Sequence, residues 1–411
     1  MTFTKRSLIL PFASLSTAAG VIVLLARWIH GNFFISSPSA LISFGLTAGI
    51  CYLLAMALAF IILGICLKKH HVQHNQSFLL ATIQEKLSGL NLKFIKVCYL
   101  VVGFEIWLIQ LISMSVLSTI MFHIPLYLTL PFFLIIVVLL ERFLSHRGLL
   151  WLDSLFIIVL FALLIFIPIY YFVQNGASSV YEGIRLYHPY LLYFKNSYIL
   201  LFFIVMQFVV LGQVLFDKST WYLIAFIKPQ KVRSSLLSSG VILALLTFSF
   251  TAILMIALYS GAYGQFEILI LTFLYEVQPG FLTLAFLLFT LLAILTTLLV
   301  EMRATKPFFT HKRSYYSYMI AVIIGLLAFV LTVDLTILSV IYTFAFLHIT
   351  LLPFVVVLLF TKRSIHKLSW LAMIIALLSG ATISLASEVL YGLIVSFIIS
   401  CIAQLSLQTE A

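Results

Sequence analysis

Residues 197–227 read SYILLFFIVMQFVVLGQVLFDKSTWYLIAFI, and their interpretation decides the fold. The run is about 31 residues long and mostly apolar, where one bilayer crossing takes roughly 20. Gln213, Asp217, Lys218, Ser219 and Thr220 interrupt it. A charge at mid-bilayer costs at least ~2.5 kcal/mol, so a plain membrane helix would not carry a carboxylate and an amine there. A helix split in two accounts for both the length and the charges. Its outer half runs from Ser197 to about Leu215. A short inner half begins at Ser219, with Asp217, Ser219 or Thr220 satisfying its free N–H groups. From Ile227 back to Asp217 the chain rises roughly 15 Å, so the break lies near the midplane. Interrupted helices at that depth build binding sites inside membranes. The competing reading ends the crossing near Leu215 and makes residues 217–227 an interfacial helix with solvated charges.

The rest of the chain fits a membrane solvent. Of 411 residues, 64% are hydrophobic and 9% charged, against about 25% charged in soluble domains. Cys51, Cys66, Cys98 and Cys401 show no metal-ligand spacing and read as small apolar residues rather than a disulfide framework. Lys5 and Arg6 precede a long apolar run with no small-residue cleavage site, so the first helix is expected to be retained.

Hydropathy predicts an all-α polytopic membrane protein with twelve spans: 8–29, 40–67, 94–120, 124–141, 149–173, 197–227, 234–259, 281–302, 316–333, 336–361, 368–386 and 389–406. With the N-terminus in the cytoplasm, loops 68–93, 142–148, 228–233, 303–315 and 362–367 hold most of the 23 lysines and arginines. The outer loops hold only Arg185 and Lys195, with Arg27 near an outer helix end, where it would snorkel beside His30. This asymmetry sets the orientation, with both termini cytoplasmic in a bacterial inner membrane. It also explains the net charge of +11 without a nucleic-acid partner.

Spans one to five (residues 8–173) and six to ten (residues 197–361) form two halves of odd span number, which predicts a 5+5 inverted repeat within a core of residues 1–361. Residues 362–411 add two peripheral spans. Symmetry with span six predicts a break in span one, at the small and polar patch Ser14, Ser16, Thr17, Ala18, Ala19 and Gly20. The same patch would equally serve as a helix-packing surface.

Five stretches in this order resemble the sodium:solute symporter family, which has the leucine-transporter fold: ASLSTAAGV from Ala13, the segment around Thr82, Glu85 and Leu87, SHRGLLWLDSLFIIVL with Asp153, DKSTWYLIAFIKPQKVRSS from Asp217, and LLAILTTLLVEM with Thr296 and Thr297. Trp221 and Tyr222 replace the Gln-Arg pair that follows the family's Asp, and Val21, Val23, Leu24 and Leu25 stand where small or polar residues are usual. The resemblance implies Na⁺-coupled symport of a small organic solute, without organic cofactor or enzymatic chemistry. It further implies Na⁺ ligation by Thr17, Gly20 and Ala293 through their backbones and by Thr296 and Thr297 through their hydroxyls. It puts Asp153 on the inner route of the ion, where a helix-start carboxylate paired with Arg147 is the plainer reading. The altered first and sixth spans imply an apolar cavity for a hydrophobic or amphipathic solute, or a sensor or accessory subunit that moves nothing.

Apart from the resemblance, Glu105 lies near mid-bilayer in span three. Such a carboxylate titrates, pairs with Lys218, binds a substrate amine, or makes a satisfied structural contact. Gln207 and Gln213 line a cavity or pack between helices. His70, His71 and His74 lack partners at ligand spacing and read as a solvated loop.

Overall fold

In the computed structural model, residues 14–29, 45–67, 78–116, 124, 126–187, 189–192, 197–259, 280–309, 311–332, 337–361 and 365–409 are described. They are almost entirely helical. The helices are α1 (Thr17–Trp28), α2 (Leu46–Cys66), α3 (Phe78–Lys86), α4 (Gly89–Val116), α5 (Leu126–Phe143), α6 (His146–Asn175), α7 (Ala177–Tyr187), α8 (Ser197–Phe216), α9 (Lys218–Ile224), α10 (Pro229–Tyr259), α11 (Gly280–Thr305), α12 (Lys312–Thr332), α13 (Ile337–Phe360), α14 (Ser369–Ala386) and α15 (Val389–Thr409). Eight of them (α2, α4, α6, α8, α11, α13, α14 and α15) are long and apolar enough to cross a membrane. The chain is an integral membrane protein. Residues 8–13 of the predicted first span, and His30, His70, His71 and His74, lie outside the described residues.

Local chemistry sets the helix ends. Ser145 caps α6, its hydroxyl accepting from the Gly148 N–H at 3.1 Å. Gly176, with φ of 80°, stops the same helix in a conformation that side-chain-bearing residues avoid. The chain then forms α7, an amphipathic helix that buries Val180 and Ile184 and pairs Arg185 with Glu182 on its exposed face. Around α3, the Lys86 ammonium donates to the Leu358 and Thr361 carbonyls at the end of α13. Asn91 meanwhile bridges the His366 carbonyl and the Trp370 N–H at the start of α14.

Span six is split as its sequence requires. Helix α8 ends at Phe216, Asp217 adopts an extended conformation, and the 7-residue α9 begins at Lys218. Trp221 donates its indole N–H to the Leu215 carbonyl at 2.8 Å, satisfying an acceptor near the end of α8. Lys218, Ser219 and Thr220 are buried, which excludes the interfacial-helix reading.

In span one the chain is extended at Ser14–Ser16, inside the patch where a break is expected, and the helix starts after it. α1 is continuous through Gly20 from its N-cap Ser16, and its 12 residues reach roughly 18 Å, half a crossing. The small-residue patch packs against α10. The Thr17 carbonyl accepts from the Ser235 hydroxyl at 3.3 Å, and Thr17 and Ser234 share a hydroxyl contact at 3.2 Å. A Cβ on Gly20 would sit 2.7 Å from the Ser235 hydroxyl and 2.9 Å from Ile227, so close helix contact explains the small side chains. Ahead of α1 the chain is extended. Ser14 and Leu15 donate their N–H groups to the Phe226 carbonyl at 3.0 Å, and Lys228 donates to the Leu15 carbonyl at 3.2 Å. The start of α1 is thereby joined through main-chain atoms to the end of α9.

Candidate functional site

Four charged side chains meet where α8 breaks: Arg27 of α1, Asp217 and Lys218 at the break, and Glu301 of α11. Their relative exposures are 3%, 2%, 3% and 1%, so the cluster is shut off from solvent. Asp217 has two tasks. Its carboxylate caps α9, accepting from the Ser219 and Thr220 N–H groups at 3.3 and 2.9 Å and from the Thr220 hydroxyl at 2.6 Å. It also takes a two-pronged bond from Arg27, with Nε 3.1 Å from Oδ2 and Nη2 2.7 Å from Oδ1. The planar guanidinium matches the two carboxylate oxygens, a geometry that an ammonium cannot supply. Trp28, the next residue on α1, donates its indole N–H to the Thr220 hydroxyl at 2.7 Å.

Glu301 completes the cluster from the opposite side. It pairs with Lys218, accepts from the Ser219 hydroxyl at 2.7 Å, and lies 3.4 Å from Arg27 Nη2. The Thr305 hydroxyl stands 3.3 Å from its other oxygen. Lys218 also donates to the Tyr99 carbonyl of α4 at 3.1 Å, and the Tyr99 ring stacks on Phe216 at 4.0 Å. Gly103, one turn further along α4, leaves room for the ammonium: a Cβ there would sit 2.8 Å from Lys218 Nζ and 2.9 Å from the Tyr318 hydroxyl. Two cations and two anions cancel. Low dielectric strengthens each attraction, and the surrounding hydroxyls and carbonyls offset part of the desolvation cost.

Arg27 therefore does not snorkel. The apolar run of residues 8–29 looks like one complete crossing that ends near Arg27. Because α1 starts only at Thr17 and stops at Ile29, Arg27 instead comes level with the break. Glu301, which sequence reasoning treated as the end of span eight, is the missed member. The available signal was electrostatic, since Lys218 in an apolar interior demands a second carboxylate besides Asp217.

Glu105 does not pair with Lys218. Its carboxylate lies 2.7 Å from Nε2 of His348 on α13, and both residues are buried. The second ring nitrogen of His348 makes no hydrogen bond among the described residues. A lone histidine inside a very apolar span gave no pattern to search for, so His348 was missed too.

The residues expected to hold Na⁺ are divided. Thr17 and Gly20 face α10. Thr296 bonds back to the Ala293 carbonyl of its own helix at 3.3 Å, while Thr297 is buried with its hydroxyl unpaired among the described residues. Asp153 on α6 is 1% exposed and neither carboxylate oxygen has a hydrogen-bond partner there, so it does not pair with Arg147. Two contacts bracket it against α11: the stacked Phe156–Phe289 rings at 5.0 Å and the Arg303–Leu144 bond. α6, which carries Asp153, thus packs against α11, which carries Ala293 and Thr297. Asp153 also lines a cavity of about 370 Å³ with Leu15, Val23, Tyr222 and Phe226. Gln213 is partly buried, and the amide of Gln207 is unpaired among the described residues.

No family model matches the chain, and no curated protein matches it in sequence. Solved structures do match. One is a Na⁺-coupled sialic acid symporter in a substrate-bound, outward-open state, at 12% identity and a TM-score of 0.74, covering 100% of this chain and 93% of that one. Another is a nucleobase-cation-symport-1 family transporter in a closed conformation with bromovinylhydantoin bound, at 14% identity and a TM-score of 0.62, covering 100% and 97%. The architecture is the leucine-transporter fold.

Proposed function

We propose that the chain is a secondary transporter that carries a small solute by alternating access around the broken sixth span, as a divergent relative of the sodium:solute symporters. The observation that carries this reading is the buried cluster of Arg27, Asp217, Lys218 and Glu301 at the junction of α8 and α9. Discontinuous helices place binding sites in membrane carriers at such a junction. The cluster also ties two short helices, α1 and α9, to the longer α4 and α11. Alternating access requires elements that can rearrange against such neighbours, and bonds among the four charges favour the arrangement in which they close. The four charges cancel, with Arg27 Nη1 the one guanidinium nitrogen without a partner among the described residues, which supports a neutral or amphipathic solute over one needing a full counter-charge.

For coupling, Na⁺ is the first reading. A hard cation prefers oxygen ligands, and the unpaired hydroxyl of Thr297 and carboxylate of Asp153 are two buried oxygen donors on facing helices. They, with the Ala293 carbonyl and the Thr296 hydroxyl, would hold the ion, and the backbones of Thr17 and Gly20 would complete its shell from α1; the Thr17 carbonyl also accepts from the Ser235 hydroxyl. The bound ion would neutralise Asp153. A second reading, proton coupling, draws on the buried Glu105–His348 contact between α4 and α13. The basic residues near the α5–α6 and α11–α12 turns support placing that end in the cytoplasm.

The test is a thermal-stability screen of solutes with and without Na⁺, followed by uptake of the hits into proteoliposomes. Uptake that follows an imposed Na⁺ gradient and fails in Asp153→Asn supports Na⁺ coupling. Uptake that ignores Na⁺, follows pH and disappears in Glu105→Gln supports the proton reading. Solute binding with no flux under either gradient overturns transport in favour of a sensor.

A further inference from the structure

A second cavity, of about 650 Å³, opens at the end of the bundle that holds the α5–α6 and α11–α12 turns. Its wall carries Arg303, Lys306, Lys312, His146 and His311, against one acidic lining residue, Glu141. Glu141 is matched by Lys306. Arg303 and Lys312 are then two permanent positive charges without a carboxylate in that wall. Arg303 is 8% exposed. One guanidinium nitrogen donates to the Leu144 carbonyl, while Nη1 has no hydrogen-bond partner among the described residues. The Asp153 carboxylate of the adjoining cavity feels the Arg303 charge but makes no hydrogen bond to it, so the donors on that side stay unspent. A buried cation with unspent donors beside a basic, tyrosine-lined space is costly unless an anion completes it.

We infer that this cavity binds an oxyanion, a phosphate or carboxylate group presented by an anionic lipid headgroup or by a soluble ion. The forked Arg303 guanidinium suits two oxygens of one such group. Lys312 supplies a second charge from the rim, and Tyr315 and Tyr316 offer hydroxyls and ring faces to whatever the anion is attached to. Tyr222 of α9, with Ser145 and His146, lines both this cavity and the 370 Å³ cavity beside Asp153. Occupancy here therefore bears on the short half-helix that the transport reading requires to move.

The experiment reads binding without flux, so its failure is distinguishable from failure of the transport proposal. The full chain is placed in nanodiscs of phosphatidylcholine alone or with phosphatidylglycerol, at constant ionic strength, and its thermal midpoint is recorded. Inorganic phosphate is titrated into the first set, with chloride as control. A midpoint rise with phosphate identifies a soluble ligand, and a rise with phosphatidylglycerol identifies a lipid. In either case Lys312→Gln, an exposed substitution, weakens the response at least tenfold in apparent affinity, and Arg303→Gln abolishes it. No rise in either set, or a rise that Lys312→Gln leaves unchanged, overturns the inference.

Discussion

The pairing of Lys218 with Glu301 makes a quantitative prediction. Glu301→Gln keeps the side chain's shape but removes one of two negative charges, leaving Arg27 and Lys218 to share Asp217. Removing one partner of a buried pair costs about 3–5 kcal/mol. Coulomb's law agrees in size: unit charges 4 Å apart at an effective dielectric of 20 attract by about 4 kcal/mol. Lys218→Met should cost a similar amount, because Glu301 would retain only the longer 3.4 Å contact with Arg27 and its hydroxyl donors. The double variant Glu301→Gln/Lys218→Met restores neutrality with the two-pronged Arg27–Asp217 pair intact, and replacing a buried ion pair by apolar or neutral groups is often close to neutral. Unfolding in mixed detergent micelles, followed by tryptophan fluorescence, should therefore show two large single losses and a double loss well below their sum. With single losses of about 3–5 kcal/mol each and a double loss near zero, the coupling energy should exceed about 3 kcal/mol, the usual upper end for residues in contact. Losses that add within about 0.5 kcal/mol would refute the argument that these two charges hold each other in place.

Other substitutions probe neighbouring parts. Gly103→Ala puts a methyl group into the space used by the Lys218 ammonium, and overpacking of this kind costs about 1–3 kcal/mol; the same unfolding assay measures it, and Lys218→Met should relieve part of the loss. Thr297→Ala should leave stability without Na⁺ nearly unchanged, because its hydroxyl makes no bond to break, while cutting Na⁺-dependent thermal stabilisation at least tenfold in apparent ion affinity. Glu105→Gln and His348→Gln should each be destabilising by about 1–3 kcal/mol through a buried group left unpaired, and the pair together should cost less than the sum. Leu15→Pro removes an N–H donor to Phe226 and should loosen both α1 and α9, seen as faster amide exchange in each segment rather than in α1 alone.

How much of this was legible depended on whether the deciding feature was a composition or a distance. The break in span six showed itself because Asp217 and Lys218 violate the hydropathy of an otherwise uniform run. Helix bounds followed hydropathy closely from residue 197 onward, as with 389–406 against Val389–Thr409. In span one the small and polar patch marked the extended stretch at Ser14–Ser16 from which α1 starts, but nothing in its composition says that Arg27 comes level with the break in span six. The partnership of Arg27 with Asp217 joins positions 190 apart in sequence, and no local pattern reports a contact at that separation. Glu301 stood beside a recognisable threonine pair and was passed over because it sits near a predicted helix end. Position along a span suggests depth, but helices that start late or cross at an angle break that rule.

The seam between Leu15 and Ile227 has an evolutionary corollary. Its bonds are made by amide and carbonyl groups that nearly every amino acid possesses, so mutation can rewrite the residues along it without cutting it; only proline at a donor position removes a strand of the stitching. A mechanical joint of that kind is anonymous. It allows the side chains of the two short helices to change freely while the joint between them holds, and a chain so built can keep its architecture when little of its sequence is kept.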